Sequence, residues 1–404
     1  MTMAAAQSSY VYGQSLRVKW CLEDGATFLN HGAFGATPSE ILAVQQEWRA
    51  CMEKHPTQFF MEDLQPQILD ATKALAKFVG APPEQTVLVE NATTGICTVL
   101  QSLQLPPKAK IVTTSHVYNA VRNALKHTVS FVGGSVIEVP VPLPVTKPQD
   151  FIDALKSQVD EAIDLVVIDH IASPSALILP VRDITDHCRK MGVSVLVDGS
   201  HAPSSLDLNI SALGADWYVG NCHKWMCAPK GAAFLVVQPG TERNLHPMAV
   251  SHAYGSGFKA EFGKIGSRDA SAWLSIPAAI RFHEALGGAE LRERNRKLAL
   301  AAGKALATAL GTQLAGPEEM FGPMVSVRLP PHMGQGSEQA DELTKVLWRD
   351  HRIDVLIVHH SDALWMRVSV HAYCDMADVD ALISALSDIS GAVGASHTAD
   401  SATC

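Results

Sequence analysis

The apolar positions of this chain follow two spacings in turn. Short unbroken apolar runs, the pattern of strands buried on both faces, occur at Thr86-Val-Leu-Val, Lys110-Ile-Val-Thr, Leu165-Val-Val-Ile168, 193–197, Asp216-Trp-Tyr-Val219 and 231–237. Among them, apolar spacings of three and four predict helices over 66–79, 94–103, 120–127 and 184–191. Strand and helix alternating in this way predict an α/β fold, with a mostly parallel sheet sandwiched by helices.

Beyond Trp273 the pattern changes. A long helical stretch over 276–310 is interrupted near Gly287-Gly288, and a strand at 325–329 follows. A helix over 341–349, extended runs at 353–358 and 365–370, and a closing helix over 376–390 complete a smaller α+β domain. The expected organisation is an amino-terminal segment (1–40), a large domain (41–272), a small carboxyl-terminal domain (273–390) and a frayed tail (391–404).

Composition narrows the class. With 404 residues, 47% of them hydrophobic and 18% charged, the chain can fill a sizeable interior. A net charge of -9 argues against nucleic acid as partner. The start lacks the basic region and apolar run of a signal peptide, and no stretch reaches membrane-spanning length. Eight cysteines without paired spacing suit free thiols in a reducing compartment, so a cytoplasmic, metal-free protein is expected.

Candidate chemistry collects where strands end, the place at which open α/β sheets build their sites. Asp198-Gly-Ser-His201-Ala-Pro closes one buried run, and Gly220-Asn221-Cys-His223-Lys224-Trp closes the next. Taken singly, such residues are a helix cap and a surface lysine. Together they suit pyridoxal 5'-phosphate (PLP), which needs a lysine to hold it as a Schiff base and an acid at its pyridine nitrogen. Glu90-Asn-Ala-Thr93-Thr94-Gly95 joins a strand to a helix and offers hydroxyls and free N–H groups to a phosphate; alone it reads as a plain Thr N-cap. His116 and Tyr118 follow the next strand, where a ring can stack on a flat heterocycle. Ser173 is either a partner for a phenolic oxygen or a turn before Pro174. Arg367 interrupts an apolar strand, which suits a carboxylate ligand or a structural ion pair.

These segments, with Phe28-Leu-Asn-His-Gly-Ala-Phe-Gly-Ala-Thr-Pro and Gly266-Ser-Arg-Asp-Ala-Ser-Ala-Trp, resemble fold-type I PLP enzymes of the class V aminotransferase family, in the isopenicillin N epimerase-like and cysteine desulfhydrase-like branch. The resemblance runs from about residue 28 to 386. It implies that Lys224 carries the cofactor and shuttles protons, with Lys230 a bystander, and that Asp198 pairs with the pyridine nitrogen. His201 and Ser173 would meet the phenolic oxygen; Thr93, Thr94, His223 and Asn221 would hold the phosphate. His116 would stack on the ring and help a departing sulfur, with Tyr118 as its substitute. Arg367 would take the substrate carboxylate, with Asn30 and His31 bordering it. Gly266 and Ser267 would reach the neighbouring subunit's phosphate, which implies a homodimer.

Two departures qualify the resemblance. Many relatives have Tyr-Asn after the Arg-Val-Ser strand, where this chain has Ala372-Tyr373-Cys374. Cysteine desulfurases carry a mobile cysteine shortly before the matching arginine, and Asp350-His-Arg-Ile-Asp has none, which disfavours persulfide formation.

The substrate expected is an amino acid, activated at Cα with Lys224 as general base. Loss of a Cβ leaving group gives a lyase, with cysteine or a cysteine-derived thioether or sulfoxide as substrate, and this is the favoured outcome. Reprotonation on the opposite face gives an epimerase and needs a second acid, for which Tyr118, His31, His252 and His371 are candidates. Reprotonation at the cofactor carbon gives an aminotransferase. A non-catalytic PLP-fold protein is disfavoured by the intact Lys224, Asp198 and Arg367, and a nicotinamide dehydrogenase by the lack of Gly-x-Gly-x-x-Gly after the first large-domain strand.

Overall fold

The computed structural model describes residues 11–400, with side chains described through 390. Its centre is a seven-stranded sheet in the order Thr86–Val89, Ala233–Val237, Trp217–Asn221, Ser194–Asp198, Leu165–Asp169, Lys110–Thr114 and Ser135–Val139. All neighbours are parallel except those of Ala233–Val237, which runs antiparallel to both of its partners. The α/β reading is therefore correct, and the buried runs owe their continuity to cover on both faces. Val166, Ile168, Val195 and Val197 pack against Leu75, Ile184 and their neighbours on one side. Leu165, Val167 and Leu196 meet Ile96, Val99 and Leu125 on the other. Alternate residues thus supply two separate apolar layers.

The carboxyl-terminal part carries a second, antiparallel sheet, Leu356–His360, Ala363–Ser369 and Met324–Arg328, covered by Ala289–Leu310 and Ser337–His351. Its cluster of buried side chains also takes in Trp20, Leu29 and Ile41 from the amino-terminal segment. Thr27–Phe28 pairs with Ile353–Asp354, and Asn30 bridges Ser369, so this segment is stitched to the carboxyl-terminal part. The closing helix is Met376–Asp400; the tail expected to fray falls on side chains, and from 401 on residues, outside those described.

Several elements left no mark in the apolar pattern, among them two helices and one strand. Ser39–Lys54 buries only Ile41 and Gln45, too few to set a helical period. Ser135–Val139 is the sheet's edge strand and is mostly part-exposed. Gln149–Lys156 is short, with three buried apolar residues. The seven described cysteines are free thiols, and no helix among the described residues is long and apolar enough to cross a membrane.

Candidate active site

A cavity of about 140 Å³ lies at the carboxyl ends of the central strands, lined by residues including Thr93, Asp169, Asp198, His223 and Lys224. Each part has a local reason. Asp198 ends a strand beside Asp169 in parallel register, so two buried strands deliver two carboxyls side by side. Gly199 follows because a Cβ there would lie 2.2 Å from the Tyr218 ring. Lys224 follows the strand Trp217–Asn221 on a loop held down by the amino-terminal segment: a Cβ on Gly35 would lie 2.2 Å from the His223 carbonyl oxygen. Gly35 also has φ +68°, a conformation that favours glycine. Lys230 donates to the Gly35 carbonyl at 2.6 Å, which ties this crossing together away from the cavity.

The Lys224 Nζ is 3.1 Å from His201 Nε2, and the Trp225 indole donates to His201 Nδ1 at 3.3 Å. A neutral imidazole has one N–H, so His201 carries it on Nε2 and donates to the lysine amine. Burial, then Lys224 and Arg367, hold the His201 pKa well below its usual value. Burial and the Arg367 charge bring Lys224 down to about 8. Far more of the amine is therefore in its neutral, nucleophilic form near neutral pH than for an ordinary lysine.

Asp198 accepts from the Ser200 amide and hydroxyl through Oδ1 alone, which leaves its other oxygen for a ring nitrogen. Asp169 is 2% exposed, its Oδ2 has no partner, and burial, then Asp198, raise its pKa well above the carboxylate range. Asn91 caps the helix Ala92–Ser102 by accepting from the Thr94 amide, and Asn221 accepts from the Ala92 amide at 2.9 Å. Thr93 and His223 face the cavity at this helix start, and burial and Lys224 lower His223 to about 4. An anion in the cradle would raise it again.

Arg367 is 1% exposed, and no carboxylate among the described residues forms a salt bridge with it. It donates to the Ser173 carbonyl and hydroxyl at 2.9 Å and reaches Asn30 Oδ1 at 3.4 Å, while its Nε has no partner. A buried guanidinium without an anion is costly, and a carboxylate ligand relieves that cost. Ser173 thus lines the cavity but spends its oxygens on Arg367, and Asn30 also donates to Asp354 at 3.0 Å.

Other expected residues stand apart. His116 does not reach the cavity: it is fully buried, donates from Nε2 to the Val141 carbonyl at 2.7 Å, and meets the Ser175 hydroxyl at 2.8 Å. It meets Phe151 edge to face, and burial and His360 lower it to about 3. Tyr118, 47% exposed, occupies the cavity wall instead. His31 is sealed behind the lysine loop, bonded to the Lys224 carbonyl at 3.1 Å and the Tyr373 hydroxyl at 2.7 Å. His371 stacks on His31 at 4.2 Å and is equally closed off. His252 is exposed on a loop outside the cavity, as are Gly266 and Ser267. The adjacent Arg268 lies 3.3 Å over the Trp273 ring and pairs with Glu90 at 2.7 Å.

Asp169 is the residue that the sequence reading passed over. Its signal was available, because it ends a buried apolar run just as Asp198 does.

This set fits PLP: a depressed lysine, a half-engaged aspartate, a helix start with hydroxyls, and an unpaired arginine. The Aminotransferase class-V family model matches residues 37–382. The chain is 34% identical over 359 residues to a putative L-cysteine desulfhydrase 1 of Oryza sativa subsp. japonica, covering 84% of this chain and 74% of that one. It is 30% identical over 396 residues to an isopenicillin N epimerase of Streptomyces clavuligerus, covering 94% and 98%. A solved mutant of C-DES, with glycine covalently linked to its PLP cofactor, superposes with TM-score 0.77 at 20% identity, covering 93% of this chain and 98% of that one. The chain belongs to the aminotransferase class V family of fold-type I enzymes, and its cofactor is pyridoxal 5'-phosphate.

Proposed function

We propose that this enzyme is a carbon–sulfur β-lyase acting on cysteine or a cysteine derivative. The cofactor supplies an electron sink for the pair left when a Cα–H bond breaks. Lys224 Nζ takes that proton, and the His201 N–H holds the amine in place until then. Arg367 binds the α-carboxylate, and Tyr118 forms part of the cavity wall. Asp198 holds the ring nitrogen protonated, Thr93, Thr94, His223 and Asn221 hold the phosphate, and His201 with Ser173 borders the phenolic oxygen.

One observation favours elimination over epimerisation. Of the four side chains considered as a second-face acid, only Tyr118 lines the cavity; His31 and His371 are closed off and His252 lies outside. Relatives named L-cysteine desulfhydrase support the same reading. The epimerase reading rests on Tyr118 and on the relatives of that name. The enzyme acts as a homodimer in the cytoplasm in this proposal, with Gly266 and Ser267 closing the neighbour's phosphate site.

The deciding experiment is an amino-acid panel in deuterium oxide with the holoenzyme. Pyruvate and sulfide or thiol from cysteine-type substrates are expected. Deuterated, racemised amino acid without pyruvate would replace the lyase with the epimerase.

A further inference from the structure

Tyr118 and Ser173 line more than the lysine cavity. They also border a second cavity of about 540 Å³, walled by the starts of Asn119–Ser130 and Ser337–His351 and by the strand Leu356–His360. Leu356, on that wall, is the register partner of Arg367 in the second sheet. The wide cavity therefore opens one strand away from the guanidinium expected to hold the substrate carboxylate. Its lining is mixed. Pro174, Leu356 and Val358 give apolar surface, while Asn119, Arg122 and His359 offer hydrogen-bond donors. Arg122 is steadied there by Glu138 at 2.7 Å and by Asn119.

The side chain of free cysteine ends one atom beyond Cβ and leaves such a volume to water. We propose that the second cavity is the leaving-group pocket, and that the preferred substrate is an S-substituted cysteine whose sulfur carries a polar group several atoms long. The proposal rests on the β-lyase reading and deepens it. The chemistry balances without an oxidant or reductant. The Cα proton goes to Lys224 Nζ, and the Cβ–S bond breaks with both electrons going to sulfur. The thiolate takes a proton and leaves as a thiol into the second cavity. Water then converts the three-carbon remainder to pyruvate and ammonia.

The test is kcat/KM for pyruvate release by the holoenzyme from cysteine, S-methylcysteine, S-(2-hydroxyethyl)cysteine and S-(2-carboxyethyl)cysteine. It is repeated with Asp341→Trp and Ser337→Trp, two exposed positions on the cavity wall. Burying two more methylene-sized groups raises kcat/KM by roughly tenfold from the first substrate to the longer ones. Each tryptophan is expected to remove that gain and leave cysteine turnover unchanged. Equal losses for every substrate would make the cavity an entrance and overturn the proposal, as would a preference for cysteine itself. Cα deuterium exchange without pyruvate from any derivative would instead remove the β-lyase reading, and this proposal with it.

Discussion

Lys224 Nζ sits 3.1 Å from His201 Nε2, and the Trp225 indole N–H fixes His201 as the donor of that pair. A donor on that side favours the lysine's neutral amine over its ammonium, and the amine is the form that bonds to an aldehyde. Lys224→Ala is expected to lose the visible absorbance of covalently bound cofactor, and Lys230→Ala to keep it. Absorbance of the two purified variants decides this; a yellow Lys224→Ala protein would move the attachment to another lysine.

The rate of cofactor uptake by apoenzyme should rise with pH. Burial lowers Lys224 to about 8, so the reactive amine fills in as pH passes that value. Stopped-flow absorbance across that range reads it out, and a flat profile would mean that another group or a conformational step limits uptake.

Arg367→Ala removes the buried guanidinium proposed to hold the substrate carboxylate. Losing a desolvated charge pair costs about 2–5 kcal/mol, so weaker binding of α-carboxylates by roughly thirtyfold or more is expected. Titration of cysteine analogues with and without the carboxylate measures it. Equal affinity of wild type and variant would place the carboxylate elsewhere.

Asp169 is predicted to destabilise the apoenzyme at alkaline pH. Its folded pKa is raised by burial and by Asp198, so the folded state favours the protonated carboxyl. Stability is then full below the unfolded value of about 4 and falls as pH rises toward the folded value. Asp169→Asn should melt above wild type at about pH 8, with the gap closing toward pH 4. Identical melting at both ends would show that the carboxyl ionises freely in the fold.

Gly35→Ala should cost stability and the site together. A Cβ would press on the His223 carbonyl at 2.2 Å from a backbone at φ +68°, an overpacking of about 1–3 kcal/mol or more. Thermal melting alongside cofactor retention separates the two effects. A variant with unchanged melting and full cofactor would show that the amino-terminal crossing yields freely.

The candidate covalent centre was legible in the sequence because its signals are local. A buried apolar run that ends on a carboxylate must present it at a strand end, so Asp198 and the Lys224 loop announce a site before any contact is known. The helix start at Asn91 is local for the same reason, since its cap and hydroxyls lie within a few residues. Arg367 was visible as a charge inside an apolar strand.

What lay beyond the sequence depends on which surfaces meet. Thr114-Ser-His116-Val-Tyr118 offers two rings two residues apart, and only packing turns Tyr118 to the cavity while Ser175 and Val141 enclose His116. Lys230 looks idle in sequence and holds Gly35 at a crossing nearly two hundred residues away in the chain. His31 and His371 are both titratable, and their burial behind Trp225 removes them from the substrate side. Sequence by itself determined the α/β sheet and marked the candidate lysine, aspartate and helix start, because local periodicity and strand ends specify them. Tertiary structure alone decided which side chains face the substrate and where the second cavity opens, because long-range packing sets those directions.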